Sequence, residues 1–485
     1  MKNAPKKSLV KNSIYNIIYK LMNAVFPMVT AIYVSRTLTP ELVGRVSYAQ
    51  NIVQYFVIIA ALGIPNYGSR ELAKSIQNKQ KRDLLFWELL LLNAISTTVC
   101  IIAYWMIVQV IPSFRTNILL HYVVGLVLLL NYFNVDWFYY GYEEFSFIAK
   151  RNVVIKIGSL FFLFAFVRDN SDYLWYASLS GGALALNYVI NFIGLRKYQI
   201  RLPEQKLKVS SHLKPIMIML ATVVAVELYT LMDTTMLGMM CPEEVVAYYT
   251  YPMQIVRVII VVLTAIGGVL LPRLSYYFQQ NMFAEAAKAV NDVFYAMLFL
   301  LLPCGIGLFM VADTLIPLLF GTVYMPAVTT LQIASLLTVA LGFSNLFGTQ
   351  ILVAVGEERK LFFATVVGAA SNIVMNACFI PVFAQNGAAV ASVISESMVT
   401  LMTYMYAIKY IKIQHRKKLI WPILISSAVM VVVLWGVKML IENSLLELVV
   451  SVGVGVIVYL VINCVMGNEW MVEGVKRIRK NRENA

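Results

Sequence analysis

The chain reads as a train of apolar runs, each about twenty residues long and separated by short polar connections. A helix rises 1.5 Å per residue, so about 20 mostly apolar residues cross the hydrocarbon core of a bilayer. The runs fall at roughly 12–35, 46–68, 84–108, 117–140, 152–168, 172–195, 214–238, 246–271, 289–311, 328–353, 361–383, 387–410, 419–441 and 445–467. Numbered as spans in that order, they predict an all-α polytopic membrane protein of about 14 transmembrane helices. The fifth is short.

Composition points the same way. Of 485 residues, 60% are hydrophobic and 13% charged, against about 25% charged in a soluble domain. So little charge cannot cover a globule in water, whereas lipid solvates apolar side chains. Cys100, Cys241, Cys304, Cys378 and Cys464 are scattered, with no two at metal-ligand spacing, and read as small buried hydrophobes. His121, His212 and His415 stand isolated in the sequence. There is no Walker A sequence, so ATP is not expected to power the chain. No nucleophile, base and orienting partner converge, so neither enzyme chemistry nor a cofactor is expected. The run from Ile14 to Val34 is long enough to span and has no small-residue cleavage site after it, so no cleavable signal peptide is expected.

Charge orients the spans. Connections after even-numbered spans are basic: Arg70, Lys74, Lys79, Lys81 and Arg82; then Arg196, Lys197, Arg201, Lys206, Lys208 and Lys214; then Lys412, Arg416, Lys417 and Lys418. Lys2, Lys6, Lys7 and Lys11 before span 1, and Lys476, Arg477, Arg479, Lys480 and Arg482 after span 14, match them. The opposite connections carry Arg36, Arg45, Arg115 and Arg168. The positive-inside rule then puts both termini in the cytoplasm. The net charge of +14 reports topology and contact with anionic membrane lipid, not nucleic acid, because the basic residues sit in short loops between spans.

The chain also repeats itself with a period of roughly 200 residues, a common feature of transporter folds. Pro40-Glu41 corresponds to Pro242-Glu243, and Arg70 to Arg273. Gly141-Tyr142-Glu143-Glu144 corresponds to Gly356-Glu357-Glu358, and Gly182-Ala183 to Gly387-Ala388. The expected organisation is an N-lobe with its cytoplasmic linker (1–213), a C-lobe (214–411), and a terminal helix pair with a basic tail (412–485). Two such lobes would share one orientation, with a substrate path between them.

Several stretches resemble the bacterial oligosaccharide flippases of the polysaccharide-transport family. They are Tyr33-Val34-Ser35-Arg36 with Gly44; Ala61-Leu62-Gly63-Ile64-Pro65-Asn66-Tyr67-Gly68-Ser69-Arg70-Glu71; Asp136-Trp137-Phe138-Tyr139-Tyr140-Gly141 with Glu143-Glu144-Phe145; Asp233-Thr234-Thr235-Met236-Leu237-Gly238; and Leu271-Pro272-Arg273-Leu274-Ser275. Arg45 departs from the pattern, which has an apolar residue there. That family shares a superfamily with multidrug and toxin extrusion antiporters and lipid II flippases. The resemblance implies transfer of an undecaprenyl-diphosphate-linked oligosaccharide to the outer leaflet of a bacterial cytoplasmic membrane, beside a polysaccharide polymerase and glycosyltransferases. The alternatives are a cation or drug antiporter, a lipid II flippase, and a non-transporting scaffold of polysaccharide assembly.

Ionisable residues inside spans carry the chemistry, because each costs about 2.5–3.5 kcal/mol at mid-helix unless it faces a cavity or a partner. The candidates for substrate binding are Lys20, Asp136, Lys156, Glu227, Asp233 and Arg257; Glu396 and Lys438 are further intramembrane charges. Glu227 and Arg257 lie equally far from Pro242, about 22 Å below that turn on neighbouring helices. They are expected either to pair and lock spans 7 and 8 or to face the cavity between the lobes. Asp233 points to a different surface. Lys20 has no acidic neighbour in its span; a diphosphate leaving water needs such a cation, while snorkelling to the interface is the plain alternative. Snorkelling is the expectation for Lys156 and Lys438. For Asp136 and the aromatics after it, an interfacial aromatic belt is expected, with stacking on sugar rings the sharper alternative. A cationic drug would be repelled by Lys20 and Arg257. Pro27, Gly63, Pro65, Pro252, Gly267-Gly268, Pro303, Gly305 and Gly307 interrupt spans and predict bending, with spans 1, 2 and 8 as the moving gate.

Overall fold

The computed structural model describes residues 9–264 and 270–471. Gly267-Gly268, Lys2, Lys6, Lys7 and the basic residues from Lys476 onward lie outside the described residues. Among the described residues every expected span falls mainly on helix, and there is no strand. Among the described residues, nine helical stretches are by length and composition long and apolar enough to cross a membrane, joined by a shorter apolar one, Ile118–Phe133. The surface is that of a protein solvated by lipid. Val110, Phe161, Leu440 and Val449 stand exposed on spans, while Asn93, Thr97 and Asn131 are buried. In lipid there is no hydrophobic gain in bringing helices together, so packing and interhelical hydrogen bonds do that work. Asn131 illustrates it: its amide donates to Thr97 Oγ1 (2.9 Å) and Asn93 Oδ1 (3.2 Å), closing span 4 on span 3.

The breaks in the helices follow local chemistry. Span 2 ends as a helix at Ala61 and restarts at Ile64. Leu62 and Gly63 between them have φ of 52° and 71°, and Pro65 supports the restart within the first turn. Pro27, Pro252 and Pro303 instead lie within helices that continue through them. Spans 11 and 12 run as one helical stretch, Glu358–Ala407, broken at Ala384 (φ 48°). Span 10 closes on a π-helical segment, Asn345–Leu352.

The chain packs as two compact units, residues 1–247 and 248–485. In each, the basic connection after the last repeat span is folded back and pinned. In the first unit, Arg201 N donates to Asp83 Oδ2 (3.1 Å) and Lys208 N to Glu88 Oε1 (2.6 Å), both on the helix Lys79–Val110 that carries span 3. In the second, Gln414 N donates to Asn291 Oδ1 (2.7 Å) and Arg416 Nη1 to Asp292 Oδ1 (3.0 Å), next to or within span 9. A second contact recurs: Tyr198 OH meets Glu144 Oε1 at 3.3 Å, and Tyr410 OH meets Glu357 Oε1. Those glutamates belong to one of the sequence landmarks of the repeat.

Candidate functional site

Asp136 begins the short helix Asp136–Gly141, set off from the main part of span 4 by the 3-10 turn Asn131–Phe133. Its carboxylate accepts a hydrogen bond from Asn191 Nδ2 on span 6 and faces Arg151 Nη1 on span 5 at 3.6 Å. Tyr139 OH donates to Asn191 O (2.7 Å), which ties the short helix to span 6 a second time. Arg151 is buried, and among the described residues its Nε and Nη1 have no hydrogen-bond partner.

Further along span 5, Lys156 Nζ donates to Asn23 Oδ1 (2.6 Å) and Met22 O (3.1 Å) and lies 5.2 Å from the centre of the Phe26 ring. Asn152 Nδ2 donates to the same Asn23 oxygen at 3.1 Å. Asn23 therefore joins span 1 to span 5. Lys20, one turn earlier on span 1, is exposed. The fold thus ties Lys156 to span 1 and Asp136 to span 6 and to Arg151.

Two expectations are corrected. Lys156 does not snorkel to the interface, because acceptors on span 1 lie within direct reach of its ammonium. The aromatics after Asp136 form no interfacial belt: Trp137, Phe138 and Tyr139 are fully buried against Phe86 and Leu89 of span 3, which also removes them from stacking on sugar rings. Lys438 is held by Asp313 at 2.5 Å across spans 13 and 9.

On span 7, Glu227 is half-buried and accepts from Thr230 Oγ1 at 3.3 Å. Asp233 is buried, two residues from Thr235. Thr235 receives Asn51 Nδ2 (2.7 Å) and shares a hydrogen bond with Tyr55 OH (2.8 Å), so span 2 is stitched to span 7. Arg257 belongs to the second unit and is exposed on span 8.

Sequence reading missed Arg151, which falls one residue before the expected start of span 5 and so counts there as a loop cation. It also missed His212. This histidine is isolated in sequence but bonded on both ring nitrogens, to Glu88 Oε2 (2.8 Å) and Tyr67 OH (2.7 Å). Lys74 Nζ (2.8 Å) and Arg70 Nε (3.3 Å) pair with the Glu71 carboxylate.

Residues 9–278, more than half of the chain, match the family model described as polysaccharide biosynthesis protein, and residues 215–378 match the MatE model. The chain is 21% identical over 415 residues to the "Putative O-antigen transporter" of Escherichia coli (strain K12), covering 83% of this chain and 98% of that one. It is 23% identical over 232 residues to a "Probable low-salt glycan biosynthesis flippase" of Haloferax volcanii, covering 48% of this chain and 49% of that one. A lipid II flippase in an inward closed conformation has a similar fold, with TM-score 0.78, 13% identity, and cover of 95% of this chain and 100% of that one. An inward-facing multidrug MATE transporter superimposes with TM-score 0.63 at 14% identity, covering 81% of this chain and 97% of that one.

Proposed function

The chain belongs to the polysaccharide biosynthesis protein family, and on that premise we propose that it is a flippase. It carries an undecaprenyl-diphosphate-linked oligosaccharide across a bacterial cytoplasmic membrane, by alternating access of two six-helix lobes, with both termini cytoplasmic. The observation that carries this reading is the family match over residues 9–278, alongside an O-antigen transporter relative matched over 98% of its length.

Chemistry supports it. A diphosphate must be neutralised on leaving water. Lys20 and Arg257 are exposed cations in otherwise apolar spans, and each is assigned to the diphosphate. Asp136 and Lys156 hold the helices around them in place. The polyprenyl chain has a fitting surface in the second unit. There a groove of about 500 Å³ runs beside spans 8, 9, 13 and 14, lined by Ile259, Pro303, Leu434, Val452 and Leu460. A cationic drug fits Lys20 and Arg257 poorly.

The test is deletion of the gene. A lipid-linked repeat unit should accumulate on the cytoplasmic leaflet and surface polysaccharide should fall. Normal surface polysaccharide with no such accumulation would overturn the reading.

A further inference from the structure

Within the first unit, a cavity of about 140 Å³ opens beside spans 2, 4 and 6, lined by Gln50, Gln54, Val124, Val127, Ser180 and Leu184 among others. Gln50 lies ten residues into the helix that starts at Pro40, and Gln54 one turn further. At 1.5 Å per residue they stand about 15 and 21 Å along that helix from Pro40, inside the apolar run of span 2. An amide at that depth is costly unless it is bonded. Gln50 Nε2 donates to Ser180 Oγ (2.5 Å), and Ser180 Oγ donates back to Tyr176 O (2.8 Å). Gln54 is only half-buried and makes no hydrogen bond among the described residues.

None of the residues named carries a charge, so a diphosphate has no counter-ion here. A hydrocarbon chain would leave the amides unpaired. A ligand that suits both amides and valines is neutral, rich in hydroxyls, and has an apolar face. Each carboxamide offers two donors and an acceptor oxygen, a set that pairs with adjacent hydroxyl groups. A cavity of about 150 Å³ takes one benzene-sized ring. We propose that this cavity is a sugar subsite that holds one ring of the lipid-linked glycan, with Gln54 bonding its hydroxyls and Val124 and Val127 lying against its apolar face. The proposal rests on the flippase reading above and deepens it, by separating recognition of the sugar from recognition of the diphosphate.

The test uses the full-length protein purified into lipid nanodiscs and two probes. One is undecaprenyl diphosphate alone; the other is the lipid-linked oligosaccharide extracted from a host strain deleted for this gene. The wild type should bind the glycosylated lipid at least about tenfold more tightly. Gln54→Leu should abolish that difference and leave binding of undecaprenyl diphosphate unchanged, while Gln54→Asn, which keeps a shorter amide, should retain part of it. Equal thermal midpoints for the three proteins would show that folding is not the cause. If the wild type binds both probes equally, or if Gln54→Leu leaves the preference intact or weakens both probes alike, the sugar subsite is overturned. If the wild type binds neither probe, the flippase reading fails before any substitution is made, and the subsite fails with it.

Discussion

Arg45 grips two glutamates at once: Glu243 at 2.6 Å and Glu41 at 2.7 Å. Those are the residues after Pro242 and Pro40, the first pair of landmarks in the internal repeat, so one arginine clasps the openings of spans 2 and 8. The clasp sits on a closer contact. A Cβ added at Gly44 would fall 1.7 Å from the Glu243 carbonyl oxygen, so the two backbones touch where only glycine fits.

The two residues should therefore respond differently. The arginine and both glutamates are partly exposed, and such pairs contribute about 0.2–1 kcal/mol. Arg45→Ala should lower the thermal midpoint in detergent only slightly. Gly44→Val must push span 2 off the turn before span 8, and overpacking of this kind costs about 1–3 kcal/mol or more. Differential scanning fluorimetry checks the order; an Arg45→Ala loss as large as that of Gly44→Val would refute it.

The half-buried Asp136 beside the buried Arg151 sets a second expectation. Removing the carboxylate leaves a buried charge uncompensated, which in a fully buried pair costs about 3–5 kcal/mol. Asp136→Ala should sharply reduce the amount of folded protein in the membrane. Asp136→Leu combined with Arg151→Met should recover most of it, since apolar replacement of both partners removes the stranded charge. Membrane abundance after expression reads the result; a double variant as scarce as the single would show that the pair is not the cause.

His212 leads to a proteolysis experiment. It holds buried Glu88 against Tyr67, and Glu88 also receives the backbone of Lys208. His212→Ala leaves that carboxylate with one partner fewer and loosens the connection from Leu195 to Val209. Trypsin should then cut at Arg201 or Lys206 several-fold faster than in the wild type, while cuts elsewhere keep their rates. Unchanged cleavage at those sites would mean that Asp83, which accepts from Arg201 N, and Trp87, whose Nε1 donates to Arg201 O (3.0 Å), hold the connection without the histidine.

These contacts mark how much of the molecule was legible in the sequence. Helices and their ends follow from apolar run length and from Gly63 with Pro65, which act within a few residues. The break at Ala384 falls in the gap between the expected spans 11 and 12, with Pro381 just before it and Gly387 just after it. The partners of charged groups are a property of spatial neighbourhood. Asn23 lies 133 residues from Lys156, and Glu243 lies 198 from Arg45. No periodicity encodes such pairs, so Lys156 read as a snorkelling cation and Arg45 as a departure without a role. The Asp136 aromatics misled for a related reason. A cluster of Trp, Phe and Tyr near a span end looks the same whether it faces lipid or, as here, packs on Phe86.

Lys20 and Lys156 give the sharpest comparison, because both are lysines near the same seam. Lys156 is bonded to Asn23 and Met22, so its ammonium serves as a strut between spans 5 and 1. Lys156→Met should leave Asn23 with only Asn152 and weaken that seam; interhelical hydrogen bonds in lipid average about 0.6 kcal/mol, with a maximum near 1.7. The expected result is a modest fall in stability with transport reduced in proportion to abundance. Lys20 is exposed, and its proposed work is to neutralise the diphosphate. Lys20→Ala should leave abundance and thermal midpoint unchanged while lowering surface polysaccharide at least about tenfold, and Lys20→Arg should restore much of it. Glu227→Gln together with Arg257→Gln should keep abundance near normal and still fail to transport, if Arg257 shares the load with Lys20. The readouts are membrane abundance by immunoblot and surface polysaccharide per cell, taken on the same cultures. Normal polysaccharide in the Lys20→Ala strain would remove Lys20 from the site and leave the diphosphate to Arg257 alone.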